Sequence, residues 1–178
     1  YYDLPMFDPV WDMHVKLDVP FYLHPRNPIA TQLRAYEGHP YLQGSAWAFG
    51  VETATHSLRM MGGGVFDRFP KLQVIIGHLG EGLPSSIWRV DHRVRKGGDK
   101  TPCKKKLTDY FRSNFHLTTS GNFHDTTLVQ AIAEIGVDRI MFSIDWPYSS
   151  NVEGREFVDG APLSKEDRLK ILGGNAAK

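Results

Sequence analysis

Cysteine is almost absent from this chain, since Cys103 is the only one in 178 residues. A single thiol excludes an internal disulfide framework and a cysteine-based zinc site. It fits a reducing compartment, so we expect a cytoplasmic protein. Cys103 stands in the polar stretch TPCKKK with no histidine near it in sequence. That setting favours a thiol with no catalytic role over a catalytic nucleophile.

The sequence also lacks an excess of either charge: 21 basic and 20 acidic residues leave a net charge of +1. Such a balance predicts no nucleic acid partner and no anionic membrane surface, and the lysine run at 104–106 is too short to change this. No apolar run approaches the ~20 residues of a membrane span. No secretory signal opens the chain, which begins on YYDLPMFDPVWDMH without an initiator methionine. We therefore expect a segment of a longer protein.

Apolar strand patterns alternate with helical patterns along the whole chain. Strands are predicted over residues 19–25, 72–78, 115–121 and 139–147, and helices over 9–16, 53–59, 83–95, 107–112, 126–135 and from Ser164. Strands that are apolar on both faces and joined through helices indicate a parallel sheet with right-handed crossovers. Four strands suit a small open sheet or half of a (β/α)8 barrel, which usually needs ~250 residues. No linker divides residues 1–178, so we expect one domain segment.

Each predicted strand carries a polar or charged residue at or near its carboxyl end. These residues are His24, His78, Ser120 and Asp145, and Glu81 follows three positions after His78. In parallel α/β folds the active site lies at the carboxyl ends of the strands, so these groups should converge on one face. Two imidazoles and two carboxylates suit a divalent metal with acid–base chemistry.

Each of these residues also has a structural interpretation. A lone histidine after a strand is more often a hydrogen-bonded structural residue, Asp145 suits a turn cap, and Glu81 suits the first turn of a helix. Their equivalent positions in consecutive βα units favour a site over coincidence. Two questions stay open from the residues alone: whether His124 takes part, and whether Trp47, Phe49 and Tyr148 pack the core or line an aromatic pocket.

Six segments of the sequence carry a family resemblance. They are HPRNP, WAFGVETATHSLRMM, GVFDRFPKLQVIIGHLGEGLP, WRVDHR, FHLTTSGNF and RIMFSIDWPY. Together they resemble the C-terminal half of the amidohydrolase-related, metal-dependent decarboxylases, and most of all the γ-resorcylate (2,6-dihydroxybenzoate) and 2,3-dihydroxybenzoate decarboxylases. GHLGE and DWPY alone indicate only the wider group that includes aminocarboxymuconate semialdehyde decarboxylase. The resemblance implies an α/β fold made of strands 5–8 of a (β/α)8 TIM barrel of the amidohydrolase type.

The resemblance also implies roles for individual residues. His24 and Asp145 match metal ligands, and Asp145 is also the expected proton donor. His78 matches the histidine that hydrogen-bonds this aspartate, with Glu81 in the same relay. The expected substrate-binding residues are Arg89, Tyr148, Phe49 and Trp47, of which Arg89 alternatively serves subunit contacts.

The implied reaction is non-oxidative decarboxylation of an ortho-hydroxybenzoate to the phenol and carbon dioxide, reversible as carboxylation. It implies a small aromatic carboxylate as substrate, one divalent ion (zinc, magnesium or manganese) and a homo-oligomer, either dimer or tetramer. The family's Glu-x-His ligand pair on strand 1 has no counterpart here, which predicts that roughly 140 residues with four strands are missing. Two alternatives remain: a metal-dependent hydrolase of a lactone or amide, and an inactive half-barrel fragment.

Overall fold

A four-stranded parallel sheet organises the molecule, described by a computed structural model for residues 1–98 and 100–177. The strands lie in chain order: β1 (Phe21–Leu23), β2 (Val74–Ile76), β3 (Phe115–Thr118) and β4 (Ile140–Met141). Phe21 pairs with Val74, which pairs in turn with Phe115, so the first three strands start level with one another. The predicted parallel sheet is therefore confirmed.

The first helix precedes β1, and the other helices connect the strands or follow the last one. They are α1 (Asp8–Leu17), α2 (Ala48–Gly62), α3 (Val65–Arg68), α4 (Leu83–Lys96), α5 (Leu107–Asn114), α6 (Asp125–Ile135), α7 (Asn151–Gly160) and α8 (Lys165–Leu169). All six predicted helices are present, and α2 ends at Gly62, where the glycine run 62–64 begins. Helices α3 and α7 were not predicted, and residues 26–44, for which neither a strand nor a helix was predicted, contain short 3-10 turns at Ala30–Tyr36 and Pro40–Leu42. No helix in the described ranges is long and apolar enough to cross a membrane.

The strands are shorter than predicted because their last residues leave the extended conformation. His78 has a φ of 52° and Ser120 a φ of 31°, and both are left-handed conformations that cannot continue a ladder. The predicted strand over residues 139–147 pairs only at Ile140 and Met141. The polar residues at the strand ends consequently lie in loops rather than within strands.

In the part of the chain that the structure describes, the helices pack their buried side chains against one face of the sheet. Leu23, Val74, Ile76, Phe115 and Leu117 are buried on that face, in one hydrophobic core with residues of α1, α2, α4 and α6. The alternate residues point the other way, where Tyr22 is 49% exposed and Ile75, His116 and Met141 are half-buried. The expectation of strands apolar on both faces is met by β2 but is wrong for β1 and β3, because Tyr22, His116 and Thr118 are polar.

Candidate active site

Three of the predicted site residues meet at the carboxyl ends of β2 and β4. Nδ1 of His78 lies 2.6 Å from Oε1 of Glu81, and Nε2 of the same ring lies 3.7 Å from Oδ2 of Asp145. Because a carboxylate only accepts, Nδ1–H of His78 donates to Glu81 and Nε2 faces Asp145. The three side chains lie in a row, joined by one hydrogen bond and one ion-pair distance, and are here called the Glu81–His78–Asp145 relay.

Left-handed backbone conformations produce this arrangement. Six non-glycine residues in the described ranges have a positive φ, and five of them lie in the loops after β2, β3 and β4. These five are His78 (52°), Leu79 (54°), Glu81 (53°), Ser120 (31°) and Asp145 (71°), and the sixth is Asp18. The tight turn after β2 folds back over Leu79 and brings the Glu81 carboxylate to the His78 ring. Each such residue costs of order 1–3 kcal/mol, and strain of this kind clusters at functional sites.

The relay is only partly open to solvent. The side chain of Glu81 is 9% exposed, against 26% for His78 and 31% for Asp145. The hydrogen bond to Glu81 raises the pKa of His78, against the opposing effect of burial. The His78 imidazole therefore holds a proton more readily than a free histidine does.

Two further residues hold the relay in place, and the sequence analysis gave neither a role. A Cβ on Gly50 of α2 would lie 3.0 Å from Oε2 of Glu81, so this glycine makes room for the carboxylate. Nδ2 of Asn122 donates to the backbone oxygen of His78 over 3.1 Å. The signal for Asn122 was its place directly after a predicted strand, in SGN. Gly50 leaves no such signal, because it lies early in a helix.

A cavity of about 760 Å³ opens beside His78 and Glu81. It lies between α2, the start of α4 and the loop after β3, and it is lined by Trp47, Val51, Ala54, Ser85, Asn122 and His124, among others. Its mixed lining of aromatic, aliphatic and polar groups is typical of a small-molecule site. Asp145 is not among its lining residues.

The other predicted site residues are more dispersed. His24 is exposed, one residue beyond β1, and Arg89 is exposed on α4. Tyr148 is 86% exposed, and Trp47 is 58% exposed where it lines the cavity. Phe49 lies in the first turn of α2. Phe49, Arg89 and Tyr148 do not line the cavity.

His24 and Asp145 offer the donor types that a divalent ion requires, but not enough donors. Imidazole nitrogen and carboxylate oxygen suit manganese, zinc and magnesium. Within residues 1–98 and 100–177, however, no group of three or more His, Cys, Asp or Glu side chains is placed to hold a metal ion. Even a four-coordinate site needs further ligands, so these residues fit part of a metal site.

Comparisons with known proteins identify the family and the fold of this chain. The amidohydrolase family model matches residues 1–178. The gamma-resorcylate decarboxylase of Polaromonas sp. (strain JS666) is 53% identical over 178 residues, covering 99% of this chain and 55% of that protein. A crystal structure of dihydroxybenzoic acid decarboxylase from Polaromonas sp. JS666, with bound manganese and the inhibitor 2-nitroresorcinol, matches with a TM-score of 0.96. It is 52% identical, and the match covers 99% of this chain and 54% of that one.

A second crystal structure, of 2,6-dihydroxybenzoate decarboxylase complexed with 2,6-dihydroxybenzoate, matches with a TM-score of 0.95 at 50% identity. That match covers 99% of this chain and 55% of the other. The chain thus spans about half the length of the curated relatives that it matches. Its four parallel strands correspond to about half of their barrel. The full-length match to the family model and the identities above show that the chain belongs to the amidohydrolase family.

Proposed function

We propose that the protein carrying this chain is a metal-dependent carboxy-lyase that decarboxylates an ortho-hydroxybenzoate to the phenol and carbon dioxide. The observation that carries the proposal is the Glu81–His78–Asp145 relay at the strand ends. It occurs in a chain 53% identical to a gamma-resorcylate decarboxylase. Residues 1–178 then form one segment of a single domain, and the other half of the barrel comes from polypeptide outside this chain.

The proposed cofactor is one divalent ion held by His24, Asp145 and ligands outside this chain. Manganese is bound in the Polaromonas structure, and zinc or magnesium suits the same donor types. When bound, the ion supplies a Lewis acid and a template for a carboxylate and its neighbouring phenolic oxygen.

Asp145 is the proposed acid that protonates the ring carbon bearing the carboxylate. The C–C bond then breaks, its electron pair restores the aromatic ring, and carbon dioxide leaves. A ring carbon is poorly basic, so the acid must be fixed close to it, and positioning provides much of the rate. His78, with Nε2 at 3.7 Å from Asp145, is placed to return the proton, while Glu81 fixes the ring through Nδ1.

The remaining predicted residues serve the substrate or the assembly in this proposal. Trp47, Phe49 and Tyr148 offer aromatic surface to the substrate ring, and Arg89 offers a cation to its carboxylate or to a second subunit. The exposure of Arg89 and Tyr148 supports contacts beyond this chain. We place the protein in the cytoplasm as a homo-oligomer, either dimer or tetramer.

The decisive experiment uses the protein with the complete barrel and one added divalent ion. Carbon dioxide release is measured from 2,6-dihydroxybenzoate, 2,3-dihydroxybenzoate and salicylate, and carboxylation of the phenols at high bicarbonate. We expect release from at least one of these acids. Hydrolysis of a lactone or amide panel without carbon dioxide release would instead support the hydrolase alternative.

A further inference from the structure

The loop at residues 119–122, directly after β3, touches the chain segments that carry His78 and Asp145. We propose that Thr119 and Asn122 are positioning residues that set the separation of His78 and Asp145, an inference that rests on the proposed function for its catalytic meaning. Neither side chain belongs to the relay, and each acts through the backbone of a relay segment.

Thr119 holds the Asp145 segment through a single hydroxyl. Its side chain is fully buried, and Oγ1 donates to the backbone oxygen of Ser143 over 2.6 Å and accepts from the backbone nitrogen of Ser143 over 2.9 Å. One hydroxyl thus satisfies both backbone groups of a residue two positions before Asp145. The strand β4 ends at Met141, so the Thr119 side chain provides hydrogen bonds to the backbone beyond the end of the β3–β4 ladder.

Ser120 fixes the loop itself. It is 4% exposed, and its Oγ lies 2.6 Å from Oγ1 of Thr118, 3.2 Å from the Tyr22 hydroxyl and 3.1 Å from Oγ of Ser143. These contacts join β1, β3 and the segment after β4. They hold Ser120 in its left-handed conformation, with a φ of 31°, from which the loop turns toward His78.

Asn122 makes the second contact, with the chain segment that carries His78. Its backbone nitrogen donates to the oxygen of Thr119 over 2.9 Å, and its Nδ2 donates to the backbone oxygen of His78 over 3.1 Å. Between them Gly121 has a φ of 73°, and a Cβ there would lie 2.5 Å from Oγ of Ser149 and 3.6 Å from Cβ of Asp145. The loop can therefore pass close beside Asp145 only with glycine at this position.

The contacts of Thr119 and Asn122, here called the bridge, link the segments of His78 and Asp145. These two residues are remote in sequence and must stay close for proton transfer. A misplacement of ~1 Å at a distance from the chemistry can cost ~100-fold in rate. Without the Thr119 hydroxyl, the partly buried backbone groups of Ser143 lose these two hydrogen bonds. The segment must then shift to find others, and Asp145 moves with it.

The test compares T119V, which keeps the β-branched shape without the hydroxyl, with T119S, which keeps the hydroxyl. T108V is the matched control, because Thr108 is also buried and donates to Asp91 over 3.3 Å away from the relay. In the complete-barrel protein we measure kcat, KM and the distance from Nε2 of His78 to Oδ2 of Asp145 in crystals of each variant. We expect T119V to lower kcat ~10- to 100-fold with KM changed less than ~3-fold. The distance should exceed the parent's 3.7 Å.

T119S should restore both kcat and the distance, and T108V should change neither. Equal kcat in T119V and T108V, with an unchanged distance, would overturn the proposal. If T119V does not fold, N122A tests the other end of the bridge, with the same expected loss of kcat and the same longer distance. A parent protein that releases no carbon dioxide from any hydroxybenzoate refutes the proposed function, whereas the crystallographic distances still decide the positioning role.

Discussion

Glu81 accepts a 2.6 Å hydrogen bond from Nδ1 of His78, three residues earlier, across a turn in which both residues have positive φ. The bond fixes the orientation of the imidazole, so that Nε2 is directed at Asp145. A residue that only packed the strand end would not need this strained turn.

Glu81 and His78 should act as one unit in catalysis. We expect E81Q and H78N each to lower kcat ~100-fold, since each interrupts the path that returns a proton to Asp145. The E81Q/H78N double variant should lie within ~3-fold of the slower single variant, because residues acting in series do not add. Steady-state decarboxylation rates of the four proteins test this, and additive losses would contradict the relay.

Asp145 should be indispensable as the proton donor. D145N keeps the shape of the side chain but lacks an acidic proton, so we expect turnover to fall at least ~1,000-fold. Metal content by mass spectrometry and substrate binding by calorimetry provide the control, since both should persist. Near-normal turnover in D145N would refute the assigned role.

Gly50 should show opposite effects on stability and activity. Alanine in a helix is more stable than glycine by roughly 0.5–1 kcal/mol, but a Cβ here would press on Oε2 of Glu81 at 3.0 Å. We expect G50A to lower kcat several-fold, on the order of ~1 kcal/mol of barrier, without a loss of thermal stability. G160A is the control, since a Cβ on Gly160 would meet nothing within 4 Å. Equal kcat in the two variants would argue against a tight fit around Glu81.

His56 should make the fold sensitive to acid. Burial lowers the pKa of His56 from 6.5 to about 4, and its Nε2 accepts a hydrogen bond from the backbone nitrogen of Tyr2 over 2.9 Å. Between these two pH values the unfolded chain binds a proton that the folded chain excludes. The contribution of His56 is therefore fully present above pH 6.5 and is lost as pH falls toward about 4.

The variant H56Q cannot titrate, so it isolates this effect. Urea unfolding at about pH 7 and about pH 4.5 should show a smaller loss of unfolding free energy for H56Q than for the parent. Asp3 and Arg59, which lie close to His56, are unchanged in both proteins. Equal losses would mean that His56 is not excluded from protonation in the folded state.

The 178-residue chain alone should not retain a metal ion. It offers His24 and Asp145, whereas stable sites need about four ligands or more. Metal analysis after dialysis should find far less than one manganese or zinc ion per chain, while the complete-barrel protein should retain about one. A stoichiometric ion in the chain alone would contradict the partial site.

Much of the fold could be predicted because hydrophobic periodicity is a local property. The four strands and the six predicted helices lie at the predicted places in the sequence, although the predicted strands are longer than the observed ones. Helix α7 was missed even though Ser150 and Glu153 form a capping-box pattern, and the Ser150 side chain does accept from the Glu153 nitrogen over 3.4 Å. The strand ends were misjudged because nothing in residue type signals a left-handed His78 or Ser120.

The sequence by itself determined the alternation of strands and helices and the placing of His24, His78 and Asp145 at the ends of parallel strands. Both follow from residue order and from the rule that such ends share one edge. Only the tertiary structure decided that His78 and Asp145 approach to 3.7 Å and that Thr119 hydrogen-bonds Ser143, two residues before Asp145. These distances depend on strand register, on turns of positive φ and on hydrogen bonds between residues far apart in the chain, none of which periodicity encodes.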